Sequence, residues 1–78
     1  MPSQAYILIE GAAGKIPSIH RRVTSINGVS SCHAVTGQFD LVALVEGQDI
    51  NELGKISYAQ IQMLDGVIRT VTCNVIEF

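Results

Sequence analysis

The 78-residue sequence predicts a single α+β domain with the element order βαββαβ. Two stretches, residues 6–9 and 41–45, are continuously apolar, which is typical of strands that are buried on both faces. Two other stretches carry apolar residues at helical spacing and end at glycines. Because 47% of the residues are hydrophobic and only 15% are charged, against about 25% in an average domain, we expect a partner to cover part of the surface.

The first half of the chain is predicted to form a strand, a helix and a second strand. Residues 6–9 form the first strand, and a flexible connection over residues 11–14 leads to a helix with Pro17 in its first turn. Gly28 ends this helix as the left-handed residue that follows it, and residues 29–36 form the second strand. The predicted buried face of the helix consists of Ile16, Ile19, Val23 and Ile26.

The second half repeats the pattern in the order strand, helix, strand. The third strand covers residues 39–46, after which Gly47-Gln48 breaks the chain. Asp49 then matches an N-cap, and Glu52 three residues later completes a capping-box pattern. Asp65-Gly66 ends the second helix and residues 67–78 form the last strand, on which Val71, Cys73 and Val75 alternate with Thr70, Thr72 and Asn74. The predicted buried stripe of the helix consists of Ile50, Leu53, Ile56, Gln60, Ile61 and Leu64.

These elements predict a ferredoxin-like fold. With right-handed crossovers, the two βαβ halves interlock as a four-stranded antiparallel sheet that carries both helices on one face. The first and third strands are then central, in agreement with their continuous apolar character, and the edge strands carry the Ser, Thr, Asn and His residues. The other face of the sheet keeps apolar side chains from both central strands. We therefore expect a two-fold dimer that forms through this face.

Composition argues against two classes of partner. The net charge is −2 and the chain has no Lys/Arg cluster beyond Arg21-Arg22, so it lacks the basic face that binding to phosphates requires. The long uncharged run after Arg22 is too polar to cross a bilayer, and no signal peptide is visible at the N-terminus. We therefore expect a cytoplasmic protein that contacts neither nucleic acid nor membrane directly.

The residues of catalytic and metal sites are not arranged for that chemistry. Cys32 and Cys73 are isolated and are predicted on opposite edge strands, which favours free thiols. His20 and His33 belong to different elements and have no carboxylate or cysteine at ligand spacing. No nucleophile–base pair or glycine-rich phosphate loop can be identified. We predict no catalytic residue, no metal and no cofactor.

The turn Thr36-Gly37-Gln38-Phe39-Asp40 is the candidate ligand site. Its structural explanation is a hairpin turn, in which Gly37 supplies a positive φ and Asp40 satisfies local backbone groups. Its functional explanation is recognition of a small zwitterion, because Asp40 and strand carbonyls can accept from an ammonium while amides around Gly37 bind a carboxylate. Two threonines on the last strand could add hydroxyl contacts, although threonine is also a residue type that favours strands. The predicted ligand-binding residues are Thr36, Gly37, Gln38, Phe39, Asp40, Thr70 and Thr72.

Two motifs at this separation resemble a known family. Val35-Thr36-Gly37-x-Phe39-Asp40 precedes an apolar strand and a helix that opens at Asp49, and Gly66-Val67-x-x-Thr70-x-Thr72 enters the last strand. The pattern resembles the effector domain of the Lrp/AsnC (leucine-responsive, feast-famine) transcriptional regulators, also called RAM, and the resemblance spans nearly the whole chain. It implies a dimer formed through the sheets and ring-like assemblies, often octamers. It also implies amino-acid effectors bound between dimers, near residues 36–40.

The sequence departs from that family in two respects. Full-length members carry an N-terminal helix-turn-helix domain, whereas this sequence starts immediately before its first strand, so we expect a stand-alone effector domain over residues 1–78. Operator binding is not carried over, and the domain could act on a full-length regulator by mixed assembly. Phe39 stands where tyrosine is common, which keeps the ring and removes a hydroxyl.

Our leading hypothesis is a non-enzymatic, amino-acid-binding assembly domain of transcription regulation, and two alternatives remain. Small dimeric α+β-barrel monooxygenases and isomerases share the element order, but they need a polar pocket between sheet and helices. The predicted helix faces here are plain Ile, Leu and Val. An amino-acid-binding module of the ACT type has the same elements, but it packs its sheets side by side and holds its ligand elsewhere.

Overall fold

The computed structural model describes residues 2–78 and has the predicted element order. Its last helix has two parts, a short α-helix and a π-helical continuation, which we call the π segment. The strands are β1 (Ser3–Gly11), β2 (Val29–Ala34), β3 (Leu41–Gly47) and β4 (Val67–Asn74). The helical segments are α1 (Ile16–Thr24), α2 (Ile50–Lys55) and the π segment (Ile56–Ile61).

The four strands form one antiparallel sheet in the order β2-β3-β1-β4. The two continuously apolar strands are therefore central and the two polar strands are edges, which confirms the predicted ferredoxin-like topology. In the register, Ile7 of β1 lies between Ala43 of β3 and Thr72 of β4. Because paired residues share a face, this row fixes which side chains point towards the helices.

The core lies between the helices and one face of the sheet. Ile19 and Val23 of α1 are fully buried there as predicted, and Ile16 and Ile26 pack against them from its two ends. Such aliphatic burial contributes about 1.5–3 kcal/mol per large side chain. The sheet supplies the other half of this core, consisting of Ala5, Ile7, Ile9, Cys32, Leu41, Ala43 and Val45.

The buried stripe of the second helix differs from the prediction after Ile56. Leu53, Ile56 and Ile61 are buried, but Gln60 is exposed and Ser57 is buried in its place. The cause is the π segment, in which Gln62 N donates to Ser57 O at 2.9 Å. A bond that spans five residues places Ile61 rather than Gln60 one turn after Ile56.

Residues at the two ends of that helix are also more exposed than predicted. Ile50 is 66% exposed because it begins the helix beside an open groove lined by Pro2 and Val75. Leu64 follows the π segment and is half-buried.

The N-cap of α2 is confirmed. Asp49 Oδ1 accepts a hydrogen bond from Glu52 N at 2.9 Å. In a capping box, Glu52 would accept a hydrogen bond from the backbone N of Asp49, the cap residue. Here Glu52 Oε2 accepts instead from Gln48 N, one residue earlier, at 2.9 Å. Both carboxylates therefore satisfy backbone donors at the start of the helix.

Most strand ends differ from the sequence prediction. β1 extends beyond residues 6–9 at both ends, to Ser3 and Gly11, and β3 ends one residue later than predicted, at Gly47. β2 ends at Ala34 and β3 begins at Leu41, so residues 35–40 form a loop between them rather than the tips of two longer strands. β4 stops at Asn74 because β1 begins at Ser3 and offers few further partners. Val75 N still donates to Gln4 O at 2.9 Å, and no strand follows over residues 76–78.

The second face of the sheet is left uncovered by the helices, and we call it the open face. Its side chains come from all four strands, and its centre is apolar with a cross-strand ion pair at one end. Tyr6 is 46% exposed and lies beside the half-buried Leu8 and Leu44. The apolar centre consists of Tyr6, Leu8, Val42, Leu44, Val71 and Cys73.

Over residues 2–78, no helix has the length and apolar character needed to cross a membrane.

Candidate functional site

The loop of residues 35–40 places the predicted ligand turn at the end of β1. Val35 N donates to Asp40 O at 2.9 Å and closes the loop. Gly37 has a φ of +113°, and a Cβ built there would meet nothing within 4 Å, so its backbone conformation rather than lack of space requires glycine. Phe39 is half-buried, and the exposed residues of the turn are Thr36, Gly37 and Gln38.

Asp40 anchors this loop to β1 through both its backbone and its side chain. Asp40 N donates to Ile9 O at 2.9 Å, and Asp40 Oδ2 accepts from Gly11 N at 2.9 Å. Within residues 2–78, no other donor meets the carboxylate. The bond occupies one carboxylate oxygen and leaves Oδ1 available to a ligand donor.

Removing the Asp40 side chain is expected to destabilise the fold. Asp40→Ala should lower the free energy of unfolding by about 1.5 kcal/mol, because Gly11 N then loses a charged acceptor in a partly buried site. Asp40→Asn keeps an acceptor oxygen and should lose less than half of that amount. Urea denaturation of both variants measures the difference. Equal losses for the two variants, or no loss for Asp40→Ala, would contradict the anchoring role.

Arg69 of β4 joins the loop to the sheet. Its Cζ lies 4.8 Å from the centroid of the Phe39 ring, and its Nε donates to Glu10 Oε1 at 3.2 Å. Glu10 and Arg69 are register partners on β1 and β4, and their side chains are 37% and 53% exposed. Sequence reasoning missed both residues. The available signal was the predicted antiparallel pairing of the first and last strands, which brings the end of one beside the start of the other.

Thr70 and Thr72 lie on the helix face of the sheet, away from Arg69. Both are paired with fully buried residues of β1. Thr70 Oγ1 accepts from Gln62 Nε2 at 2.8 Å, and Thr72 Oγ1 donates to Ser57 Oγ at 3.2 Å. These hydroxyls therefore bond to the π segment and to the residue that follows it. The structure joins Phe39 to Arg69 and Glu10, and Asp40 to the neighbouring Gly11, and it does not bring the two threonine hydroxyls to that cluster.

The cysteines and histidines form no reactive cluster in the described part of the chain. Cys32 and Cys73 are free, and burial raises the pKa of the Cys32 thiol, which makes it a poor nucleophile. His20 Nε2–H donates to the carbonyl of Cys32 at 2.9 Å, a contact that joins α1 to β2. No three His, Cys, Asp or Glu side chains of residues 2–78 are placed to hold a metal ion.

The space between sheet and helices is filled mainly by aliphatic side chains. Ser57 is the buried polar residue there among residues 2–78. This is not the polar pocket that the enzyme alternative needs. An open cleft of about 470 Å³ lies at the other end of the sheet from the ligand turn, where Gly28, Glu46 and Lys55 are among its lining residues.

The fold is similar to that of several solved structures. TTHA0845 of Thermus thermophilus is 30% identical, with a TM-score of 0.93 over 97% of this chain and 95% of that chain. Escherichia coli AsnC is 23% identical, with a TM-score of 0.89 over 97% of this chain and 52% of that chain. The transcriptional regulator NMB0573 of Neisseria meningitidis, solved as a complex with L-Met, is 22% identical, with a TM-score of 0.85 over 96% and 50% of the two chains.

Curated protein sequences give no match. A family model described as the Lrp/AsnC ligand binding domain matches residues 4–78, which is nearly the whole chain. The chain therefore belongs to the Lrp/AsnC ligand-binding domain family.

Proposed function

We propose that this ligand-binding domain takes up a free amino acid at the turn of residues 36–40 and thereby contributes to amino-acid-responsive transcription regulation. The observation that carries the proposal is the exposed turn around Gly37, which lies beside the anchored carboxylate of Asp40. Family membership supports ligand binding in general. The Neisseria regulator of the same fold, solved with L-Met, supports an amino acid as the class of ligand.

The chemistry of the turn suits a zwitterion. Asp40 Oδ1 is the free acceptor for an ammonium, since Oδ2 is already bonded to Gly11 N. Thr36, Gly37 and Gln38 are exposed, and in this proposal their backbone amides donate to the ligand carboxylate. Phe39 offers an apolar ring to the rest of the ligand. In this proposal Thr70 and Thr72 support the site from the other face of the sheet, and their direct contact with ligand remains a prediction.

The proposal includes self-association through the open face. Its apolar centre spans both central strands, and a specific interface typically buries about 800 Å² on each partner. We propose a two-fold dimer through this face and rings of such dimers, with the amino acid bound where dimers meet. We further propose that this single domain works in the cytoplasm, alone or in mixed assembly with a full-length regulator, without catalysis and without direct contact with DNA or membrane.

The binding test combines a thermal-shift screen of the twenty standard amino acids with calorimetry on variants. Asp40→Asn should weaken the best ligand about ten- to a hundredfold, because the ammonium loses a charged partner. Gly37→Val should weaken it at least as much, since a β-branched residue resists the φ of +113° and displaces the amides.

Gly14→Val is the matched control for the glycine variant. Gly14 also has a positive φ, +82°, and open space around a built Cβ, but it lies in the loop before α1. Its substitution should leave the affinity within about twofold of the parent value, whatever it does to stability. If Asp40→Asn binds as tightly as the parent, the ammonium role is wrong. If no amino acid binds the parent at millimolar concentration, the proposed function is wrong.

A further inference from the structure

The guanidinium of Arg69 has unused hydrogen-bonding capacity at the edge of the ligand turn. A guanidinium carries five N–H donors in a rigid plane. Within residues 2–78, the only acceptor that meets this group is Glu10 Oε1, which takes the Nε donor at 3.2 Å. The donors on the two terminal nitrogens therefore remain available, and the side chain is 53% exposed.

The Phe39 ring restricts the orientation of this guanidinium. Arg69 Cζ lies 4.8 Å from the ring centroid, a typical cation–π distance. Two contacts hold the group, the ring on one face and Glu10 at the Nε edge. A guanidinium that is already oriented loses less conformational freedom when it binds a carboxylate through two parallel hydrogen bonds.

The charges around the turn alternate in sign. Asp40 and Glu10 are both adjacent to Gly11, the first through its hydrogen bond and the second along the chain, and Arg69 lies directly across from Glu10. A zwitterion needs negative and positive groups side by side, and this cluster provides both. The side chains of the other ion pair of the described residues, Lys15–Asp65 at 3.2 Å, form no hydrogen bond with residues 36–40, and no aromatic ring lies over the cation.

We propose that Arg69 binds the carboxylate of the ligand, with Phe39 holding the guanidinium in place. The inference rests on the proposed function and specifies it, because the site then selects molecules with a free α-carboxylate over their amides. Glu10 fixes the position of the Arg69 guanidinium while the site is empty. When ligand binds, its carboxylate accepts hydrogen bonds from the terminal nitrogens of Arg69 and from the amides of the turn.

The experiment compares acids with amides by calorimetry. The probes are the twenty standard L-amino acids and the carboxamide of each one that binds. The parent should bind an acid at least about tenfold more tightly than its carboxamide, as expected for a charged bidentate contact. Arg69→Gln should weaken the acid about tenfold or more while changing the carboxamide less than about twofold. Arg69→Lys keeps the positive charge without the planar guanidinium, so its affinity for the acid should lie between those of the parent and Arg69→Gln.

Lys15→Gln is the matched control, since it removes the same charge from the other exposed ion pair. It should change neither affinity by more than about twofold. Melting temperatures of all variants should stay close to that of the parent, because exposed ion pairs contribute little to stability.

The possible outcomes separate the two proposals. If Arg69→Gln weakens acid and carboxamide equally, or weakens neither, then Arg69 does not bind the carboxylate, although amino-acid binding stands. If the parent binds an acid and its carboxamide equally well, the proposed selectivity is wrong. If no acid binds the parent at millimolar concentration, the proposed function and this inference both fall.

Discussion

Leu8→Asp should convert the proposed dimer into a monomer at micromolar concentration. Leu8 lies near the middle of the open face, on the central strand β1, with Val42 and Val71 as its register partners. In the proposed dimer, replacing each Leu8 removes about 1.5–3 kcal/mol of favourable burial free energy from the interface. Each new carboxylate would also be buried without a partner, which costs more. Two copies per dimer should weaken association by at least about a thousandfold.

Sedimentation velocity gives the first measurement, and the thiol of Cys73 gives a second. Cys73 lies on the open face, so it should react slowly with a thiol reagent in the parent and rapidly in Leu8→Asp. Cys32 is buried on the helix face and should stay slow in both proteins.

Ile50→Asp serves as the control for this variant. It places the same residue at another exposed apolar position, away from the open face and in the first turn of α2, where an acidic residue is favourable. This variant should remain dimeric. A monomeric parent, or a dimeric Leu8→Asp, would rule out association through the open face.

Gly28→Val should lower the free energy of unfolding by about 3 kcal/mol. Gly28 has a φ of +101°, which costs a β-branched residue about 1–3 kcal/mol of backbone strain. A Cβ there would also meet Ile56 Cδ1 at 2.8 Å and Glu46 O at 3.2 Å. The isoleucine methyl can move, but Glu46 is fixed because its N donates to Gly28 O at 2.8 Å. Overpacking of this kind adds about 1–3 kcal/mol.

Gly54→Val is the control for the loss at Gly28. Gly54 lies within α2, and a built Cβ meets nothing within 4 Å, so the same substitution should change stability by less than about 1 kcal/mol. Urea denaturation of both variants at one protein concentration measures the two losses, since dimer formation would make stability concentration-dependent. Similar losses at the two glycines would show that neither strain nor crowding at Gly28 matters.

Family membership bears on the alternatives to amino-acid-responsive regulation. The match over residues 4–78 agrees with the motifs around Gly37 and Gly66, and it favours the Lrp/AsnC hypothesis over an ACT-type module. The space between sheet and helices is filled mainly by aliphatic side chains, which differs from the polar pocket that the enzyme alternative needs. Binding of an amino acid and association through the open face are the two properties that experiment has to establish.

Local patterns in the chain were sufficient for the order and class of its elements. Helical spacing identified Ile19 and Val23 as core residues, and continuous apolar runs identified β1 and β3 as the central strands. Asp49 was recognisable as a cap from the residues around it. Each of these features depends on interactions within about one helical turn, or on the composition of a single strand, and is therefore readable without knowledge of distant residues.

Features that depend on contacts between distant segments required the folded chain. The cluster of Phe39, Arg69 and Glu10 combines a loop with two strands, and its members meet because β1 and β4 pair in one particular register. The same register turns the hydroxyls of Thr70 and Thr72 towards the helices. Because of the π segment, Ser57 is buried in the core and Gln60, which was predicted to be buried, is exposed. A shift of one residue reverses the face on which a strand side chain lies, so the composition of the ligand site depends on pairing between segments that no local pattern specifies.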